Sequence, residues 1–257
     1  MTIILALVLG ALIGVLLGLL GGGGSILAVP TLVYALGMDI DQAIPTSLIV
    51  IGAASAVGLL PKVRARQVQW RLAAIFAITG IPATFAGAVI GRHLPQTALL
   101  IGFAAVMVVA GVRMLQDAAG VGTACDVGAD GIDWRRCAPR SIPAGLGVGL
   151  VTGLFGVGGG FLIIPALVMM LGVEMPIAVG TSLLIIVANS AAGVAAHLHG
   201  LEFNWAVTAA FAGTAAAASL VAGHLGTRVD TDRLQRWFAY LVFIVAGFVL
   251  VDTIWLR

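Results

Sequence analysis

The chain contains two copies of one sequence pattern, and this duplication constrains its fold more than any other feature. Residues 18–70 align with residues 153–205 at a constant shift of 135 positions, without gaps, and 21 of these 53 positions are identical. The identical pairs include Gly21/Gly156, Gly23/Gly158, Gly24/Gly159, Pro30/Pro165, Thr46/Thr181, Ser47/Ser182 and Trp70/Trp205. A two-fold repeat in an apolar chain is the usual build of a membrane transporter, whose substrate lies where the halves meet. The duplicated motifs are therefore the first candidates for a binding site.

The composition indicates that lipid is the solvent for most of the surface. The chain is 61% hydrophobic and 9% charged, with a mean hydropathy of +1.14, whereas soluble domains carry about 25% charged residues. The net charge is +2, and the basic residues are spread over short loops, so membrane lipid and not nucleic acid is the expected partner. The first 20 residues lack a basic start and a cleavage site, which predicts a retained membrane segment.

Six apolar stretches are long enough to span a bilayer, which takes about 20 residues. They are residues 43–60, 70–91, 96–115, 177–196, 204–223 and 234–254. Two further regions are divided by glycines: 2–19 and 25–37 flank Gly21–Gly24, and 142–155 and 161–172 flank Gly156–Gly160. Each of these regions could be a re-entrant hairpin, two tilted spans or one interrupted span. Broken helices at membrane depth need cover from protein or a watery cavity.

The positions of basic residues predict that the two halves have opposite orientations. The loop at 61–71 carries Lys62, Arg64, Arg66 and Arg71, which favours the cytoplasm, whereas the aligned loop at 196–206 has no lysine or arginine. The following pair of loops reverses this bias. The predicted fold is thus an all-α polytopic membrane protein with two inverted-topology repeats and glycine-broken or re-entrant helices. Its predicted parts are a first repeat (1–116), a polar cytoplasmic linker (117–141) and a second repeat (142–257). Opposite orientations require an odd number of membrane crossings in each half. One interrupted helix plus three spans makes four crossings, so this arrangement is excluded.

The linker contains both cysteines, Cys125 and Cys137. Their spacing is too wide for a CxxC pair, and two ligands alone do not make a zinc site. We expect reduced thiols without a role, and neither a metal nor a cofactor.

The glycine runs are the leading candidates for substrate binding. Glycine lets backbone N–H groups face a ligand, and where a run starts a helix, the free amides and the positive end of the dipole attract an anion. The alternative is close helix packing, which small residues also permit. The candidate residues are Gly21, Gly22, Gly23, Gly24 and Ser25 in the first half, and Gly156, Gly158, Gly159 and Gly160 in the second.

Hydroxyl pairs inside the third apolar segment of each half form a second candidate group. Thr46 and Ser47 follow Pro45, and Thr181 and Ser182 follow Gly180. These hydroxyls can donate to an anion or bond back to a carbonyl of their own helix. Asn189 is an amide inside a span and adds a further candidate donor.

Few titratable groups are available for ion coupling. Asp39 aligns with Glu174 just before a span, where either residue could cap the helix or carry a proton, and His197 lies at a predicted external rim. No carboxylate or lysine falls clearly within a long span, apart from Asp252 at a predicted interface. A cation carrier normally needs a buried carboxylate, so amides and hydroxyls point to an anion. No hydrolase motif is present, and we do not expect an enzyme.

The glycine runs with their prolines, the duplicated Thr-Ser-Leu motif and the segment AAGVAAHLHG resemble the TauE/SafE family of sulfite exporters over about residues 5–255. The resemblance implies a bacterial inner-membrane permease for a small oxyanion or organosulfur acid, such as sulfite, thiosulfate or a sulfonate. The alternative is a non-transporting membrane scaffold or assembly component whose glycines serve helix packing alone. The sequence leaves the anion, the direction, the coupling ion and the oligomeric state open.

Overall fold

The structure is a computed structural model that describes residues 2–32, 37–38, 40–91, 93–116, 127–128, 131–132, 134–155, 160–196, 205–227 and 229–255. The first half contains α1 (Thr2–Leu20), α2 (Gly23–Pro30), α3 (Ile40–Arg64), α4 (Trp70–Gly91) and α5 (Gln96–Gln116). The second contains α6 (Trp134–Phe155), α7 (Gly160–Pro165) with a π-turn (Ala166–Met170), α8 (Met175–Ala196), α9 (Trp205–Gly226) and α10 (Thr231–Trp255). Two-residue strands, β1 (Val127–Gly128) and β2 (Gly131–Ile132), pair antiparallel between the halves. The predicted all-helical class is confirmed.

Six of the described helices are long and apolar enough to cross a membrane. The spans are Pro45–Arg64, Trp70–Gly91, Ala98–Leu115, Met175–Ala195, Val207–Gly226 and Thr231–Leu250. Each overlaps one of the six predicted spans, so the multi-pass prediction is confirmed. The outward side chains are apolar, for example Ile78, which is 73% exposed, and Ile244, which is 69% exposed. Such faces are suited to lipid.

Helix α3 is longer than the sequence predicted, because it continues through Pro61 to Arg64. Lys62 therefore lies in the last helical turn and is fully buried, whereas the sequence placed it in a polar loop. Membrane helices tolerate an internal proline when neighbouring helices cover the disturbed backbone. Here α9 supplies that cover, since a Cβ added to Gly223 would lie 3.5 Å from Pro61 Cγ.

Helix α6 begins at Trp134, before the predicted apolar piece at 142–155, and contains Pro139 and Pro143. The helix brings Cys137 into the interior, where it is disulfide-bonded. The expectation of reduced thiols is therefore wrong for this structure. The spacing of cysteines along a chain does not report the distance between their sulfur atoms, which decides whether they can bond.

Glycines allow two pairs of helices to pack closely, and the pairs match residue for residue at the repeat shift. On α1, the glycines contact α9 in rising order: Gly10 with Phe211, Gly14 with Ala215 and Gly18 with Ser219. On α6, they contact α4 in the same order: Gly145 with Phe76, Gly149 with Gly80 and Gly153 with Thr84. Each contact of the α1–α9 pair thus has an equivalent in the α6–α4 pair. The glycine lies 135 positions later in the chain and its partner 135 positions earlier. In both pairs the two helices are parallel.

The helices that the repeat makes equivalent run antiparallel to each other. A Cβ on Gly193 of α8 would lie 2.9 Å from Leu48 Cδ1, and one on Gly52 of α3 would lie 3.0 Å from Ser190 Cβ. Residue numbers therefore increase along α3 in the direction in which they decrease along α8, so the two helices are antiparallel. Between α5 and α10, Gly111 faces Phe243, and the Met114 carbonyl accepts a 2.6 Å hydrogen bond from Gln235 Nε2. These two helices are therefore antiparallel as well.

The short second helix of each half ends in the same way. Gly37 and Gly172, which align in the repeat, both have a positive φ, at 66° and 68°. The residue after each glycine donates its N–H to a carbonyl six positions back, from Met38 to Leu32 at 3.1 Å and from Val173 to Leu167 at 3.0 Å. The structural match between the halves thus extends to the turns that lead into α3 and α8.

Candidate functional site

The chain reverses direction at Gly21 and Gly22, between α1 and α2. Gly21 has a φ of 66°, a conformation that side chains disfavour. A Cβ on Gly24 would lie 2.6 Å from Leu17 Cγ and 2.7 Å from the Ile13 carbonyl. A helix that continued straight would hold Gly24 about 10 Å or more from these residues at 1.5 Å per residue. Helix α2 therefore packs back against α1 instead of continuing it as one straight helix.

The first glycine break contacts the start of α7, in the other half of the chain. Gly22 contacts the carbonyl of Gly160, which begins α7. A Cβ on Gly160 would lie 2.9 Å from Ser25 Oγ, and one on Gly21 would lie 2.6 Å from Ser182 Oγ. We call these five residues the glycine cradle: Gly21, Gly22, Ser25, Gly160 and Ser182. Both halves contribute residues to it.

The glycine cradle is closed in this structure. All five of its residues are buried. Ser25 Oγ donates to the Gly22 carbonyl at 2.6 Å, and Ser182 Oγ donates to the Val179 carbonyl at 2.8 Å. Both hydroxyl protons thus bond back to their own segment, which was the alternative that the sequence left open for Ser182. An anion that used these hydroxyls would require them to rotate.

The remaining predicted glycines occupy other positions. A Cβ on Gly23 would meet Leu241 of α10 at 2.6 Å, while Gly24 faces α1, so the two glycines pack against these helices. Gly156, Gly158 and Gly159 lie outside the described residues.

The other predicted polar residues are also buried, fully or in part. Thr46, Ser47 and Thr181 are almost fully buried, at 1%, 2% and 0% exposure. Thr181 Oγ1 accepts a 3.1 Å bond from the Gln69 N–H in the turn before α4, so this hydroxyl ties α8 to the first half. Asn189 Oδ1 is buried and has no hydrogen-bond partner in the described part of the chain. Asn189 is therefore polar, partly buried and unsatisfied.

Of the three predicted coupling residues, the structure describes one. Glu174 is exposed and directly precedes α8, which suits the capping role. Asp39 and His197 lie outside the described residues.

Sequence reasoning missed Lys62, which it assigned to an aqueous loop. Lys62 is the one charged side chain that is buried in the described part of the chain. Its alignment with His197, a titratable residue in the other half, was a usable signal. Sequence reasoning overlooked this signal because Pro61 indicates the start of a loop, whereas α3 continues through Pro61 to Arg64.

Within the residues described, no group of three or more His, Cys, Asp or Glu side chains could hold a metal ion. The cradle itself offers backbone groups and hydroxyls, while the amide of Asn189 and the ammonium of Lys62 lie elsewhere among the described residues. Such groups can donate hydrogen bonds to a negative solute.

Six apolar spans and a polar cluster where the two halves meet define the class: this is a multi-pass membrane transporter. Residues 6–249 match the family model described as sulfite exporter TauE/SafE. The chain belongs to the TauE/SafE family, whose members are described as transporters and not as enzymes.

Similar proteins carry matching descriptions. A probable membrane transporter protein of Xylella fastidiosa (strain 9a5c) is 33% identical over 248 residues, which cover 94% of this chain and 92% of the relative. The probable membrane transporter protein YunE of Bacillus subtilis (strain 168) is 27% identical over 222 residues, covering 80% of this chain and 81% of the relative. No solved structure matches the chain.

Proposed function

We propose that this protein carries a small oxyanion or organosulfur or organic anion, such as sulfite, thiosulfate or a sulfonate, across a bacterial inner membrane. The observation that carries the proposal is the close contact between Gly22, in the first glycine break, and Gly160, at the start of α7 in the other half. Family membership supports the transporter class. Alternating access takes place at the repeat interface, where one half rocks against the other.

The repeats are inverted in this proposal. Antiparallel packing of α3 with α8 and of α5 with α10 supports it, as does the exchange of equivalent glycine contacts between the α1–α9 and α6–α4 pairs. In an inverted pair, each half can adopt the conformation of the other, and this exchange opens the centre to one side and then to the other. Residues 117–141 form a cytoplasmic linker between the halves.

Backbone dipoles and hydroxyls replace the hydration shell of the anion. Helix α2 begins at Gly23 without a side-chain cap, which leaves its first turn to be completed by a ligand. One helix terminus contributes about 0.3–2 kcal/mol, so several donors must converge. The cradle hydroxyls of Ser25 and Ser182 supply two of these hydrogen-bond donors after they rotate away from their own carbonyls. The remaining predicted donors are Gly23, Gly24, Thr46, Ser47, Gly156, Gly158, Gly159, Thr181 and Asn189.

Coupling to an ion is a separate part of the proposal. Asp39, Glu174 and His197 are the residues through which a proton could be exchanged at the aqueous rims. The exposure of Glu174 supports contact with bulk water.

A scaffold whose glycines serve packing alone is the competing function. Glycines on α1 and α6 do pack against neighbouring helices, which is the behaviour that such a scaffold needs. The two functions predict different effects of removing the Ser182 hydroxyl, because a transporter would use it to bind the anion and a scaffold does not require it.

The test is anion binding and transport by the full-length protein. Detergent-purified protein is screened by thermal shift against sulfite, sulfate, thiosulfate, sulfoacetate, taurine and simple carboxylates, and the active anions are followed in proteoliposomes. Ser182→Ala should weaken binding of the active anion by about tenfold, because one hydrogen bond to a charged group is lost.

The matched control is Thr84→Ala. Thr84 Oγ1 makes the same kind of back-bond within its helix, 2.9 Å to the Gly80 carbonyl, outside the cradle, so binding should be unchanged. A wild-type protein that neither binds nor moves any anion of the panel would favour the scaffold.

A further inference from the structure

A groove of about 450 Å³ opens between α5, α6 and α7. The residues that line it are all apolar, and four of them are small: Ala105, Ala110, Ala144 and Gly147. A Cβ added to Gly147 would meet nothing within 4 Å, so there is open space beside α6. Val109, which also lines the groove, is 61% exposed. The groove is therefore open to the surrounding lipid.

The small residues of the groove are not shared by the other half of the chain. The repeat shift extends to these helices, because α5 and α10 begin 135 positions apart. At this shift Ala105 aligns with Tyr240, and Gly147 aligns with Leu12. The repeat itself therefore does not require a groove at this position, and this half has lost side-chain volume there.

Two arginines lie one helical turn from the groove. Arg113 follows Ala110 by three residues on α5, and Arg140 precedes Pro143, another lining residue, by three residues on α6. Residues three apart share a helix face and are separated by about 4.5 Å along the helix axis. Both arginines are exposed. The aligned positions in the other half carry a phenylalanine and a leucine, so these two charges also belong to this half alone.

The two arginines lie at the same end of the groove. Four residues separate α4 from α5, and helices joined by so short a connection run antiparallel. Because α6 is parallel to α4, α5 and α6 are antiparallel, and the last turn of α5 lies at the same end as the first turns of α6. From the arginines, the lining residues continue inward for about 12 Å along α5, to Ala105, and for about 16 Å along α6, to Val151.

These dimensions fit one chain of a phospholipid. The hydrocarbon core of a bilayer is about 30 Å thick, so the groove extends through about one leaflet, starting at its charged surface. Basic pockets between membrane helices bind anionic lipid head groups, and the guanidinium group of arginine matches the geometry of phosphate. The apolar groove and the two cations at its end thus complement the two parts of one lipid molecule.

We propose that the groove binds an acyl chain of an anionic phospholipid and that Arg113 and Arg140 bind its phosphate. This site is separate from the glycine cradle and does not depend on the transported anion. Leu162 and Pro165 of α7 line the groove, and Gly160 at the start of the same helix contacts Gly22. A bound chain therefore supports the packing of a helix that contributes to the cradle.

The experiment measures lipid binding to the detergent-purified full-length protein by native mass spectrometry. The probes are phosphatidylglycerol and phosphatidylcholine with identical acyl chains, and phosphatidylglycerol should bind at least about fivefold more tightly. Gly147→Leu introduces the residue found at the aligned position and fills the groove, so it should weaken binding of phosphatidylglycerol by at least about tenfold. Arg113→Gln and Arg140→Gln should each weaken it by about fivefold and reduce the preference over phosphatidylcholine.

Each kind of variant has a matched control. Gly247→Leu makes the same change at an exposed glycine of α10 that has nothing within 4 Å of its Cβ position and does not line the groove. Arg64→Gln removes an exposed arginine at the end of α3, a helix that contributes no residue to the groove. Both controls should bind phosphatidylglycerol as wild type does.

Equal affinity of Gly147→Leu and wild type would overturn the proposal, as would equal affinity of wild type for the two lipids. If Gly147→Leu does not accumulate as folded protein, the arginine variants decide, and unchanged affinity in both overturns the proposal. Replacement of Val109 by photoreactive benzoylphenylalanine then identifies the occupant in native membranes. A phospholipid adduct is expected, whereas a crosslink between two copies of the chain overturns the proposal.

Discussion

At the scale of single residues, the centre of the molecule depends on the absence of side chains. Gly22 contacts the carbonyl of Gly160, and Gly21 adopts a positive φ beside Ser182. At these positions even a methyl group would force the two halves apart. The same residues that could bind an anion thus also determine how closely the halves approach each other.

Gly22→Ala should therefore abolish transport and lower the melting temperature, because its methyl group would overlap the backbone of α7. Overpacking of this kind costs about 1–3 kcal/mol. Uptake of the active anion into proteoliposomes and a thermal melt of the purified protein measure the two effects.

Gly213→Ala is the control for this change. Gly213 is exposed in the middle of α9, and a Cβ there would meet nothing within 4 Å. Alanine favours a helix over glycine by about 1 kcal/mol, so stability and transport should be kept. Equal behaviour of the two variants would contradict the close contact between Gly22 and Gly160.

At the scale of helices, the packing is organised in pairs that the repeat relates. The α1–α9 and α6–α4 pairs use aligned glycines against aligned partners. Without a hydrophobic driving force in lipid, such close backbone contacts hold helices together through van der Waals packing. Equivalent substitutions in the two pairs should then have similar effects.

Gly14→Ala and Gly149→Ala should each lower the melting temperature by a similar amount, because both glycines contact the backbone of a partner helix, at Ala215 and at Gly80. Gly147→Ala, on the same helix as Gly149 but with nothing within 4 Å, is the control and should melt as wild type does. The prediction fails if Gly149→Ala is as well tolerated as Gly147→Ala.

At the scale of the whole molecule, the proposed inversion places aligned loops on opposite sides of the membrane. Cysteines introduced at Ala65 and at Gly200, which align in the repeat, should differ in their reaction with a membrane-impermeant maleimide in a background without native cysteines. Gly200→Cys should react in intact cells, whereas Ala65→Cys should react after permeabilisation. Ile78→Cys, on the lipid-facing surface, should stay unlabelled. Labelling of both loop positions from one side would contradict inversion.

The cysteine bond gives a second test of orientation. Cys137 is disulfide-bonded in the structure, whereas disulfides persist in oxidising compartments and are reduced in the cytoplasm, so the bond and the proposed cytoplasmic linker predict opposite states of the thiols. A cytoplasmic linker predicts that both native thiols react with an alkylating reagent after acid quenching of growing cells, and that neither reacts after treatment with an oxidant. Thiols that become reactive only after reduction would place the linker outside the cytoplasm.

The sequence by itself determined the class, the six spans and the family, and it located the break between α1 and α2. Hydropathy and glycine runs are properties of consecutive residues, and a repeat in the sequence shows directly which positions correspond. The sequence could not place Lys62, because proline usually ends a helix and the burial of this side chain depends on α1 and α9, which are distant along the chain.

The tertiary structure decided which of the candidate residues come together. Gly21, Gly22, Ser25, Gly160 and Ser182 form one centre, while Gly23 and Gly24 pack against other helices and Thr181 binds the turn before α4. Contacts of this kind depend on how the helices cross and on which helix face turns inward. Residue spacing along one chain limits these choices, but the packing of one half against the other selects among them.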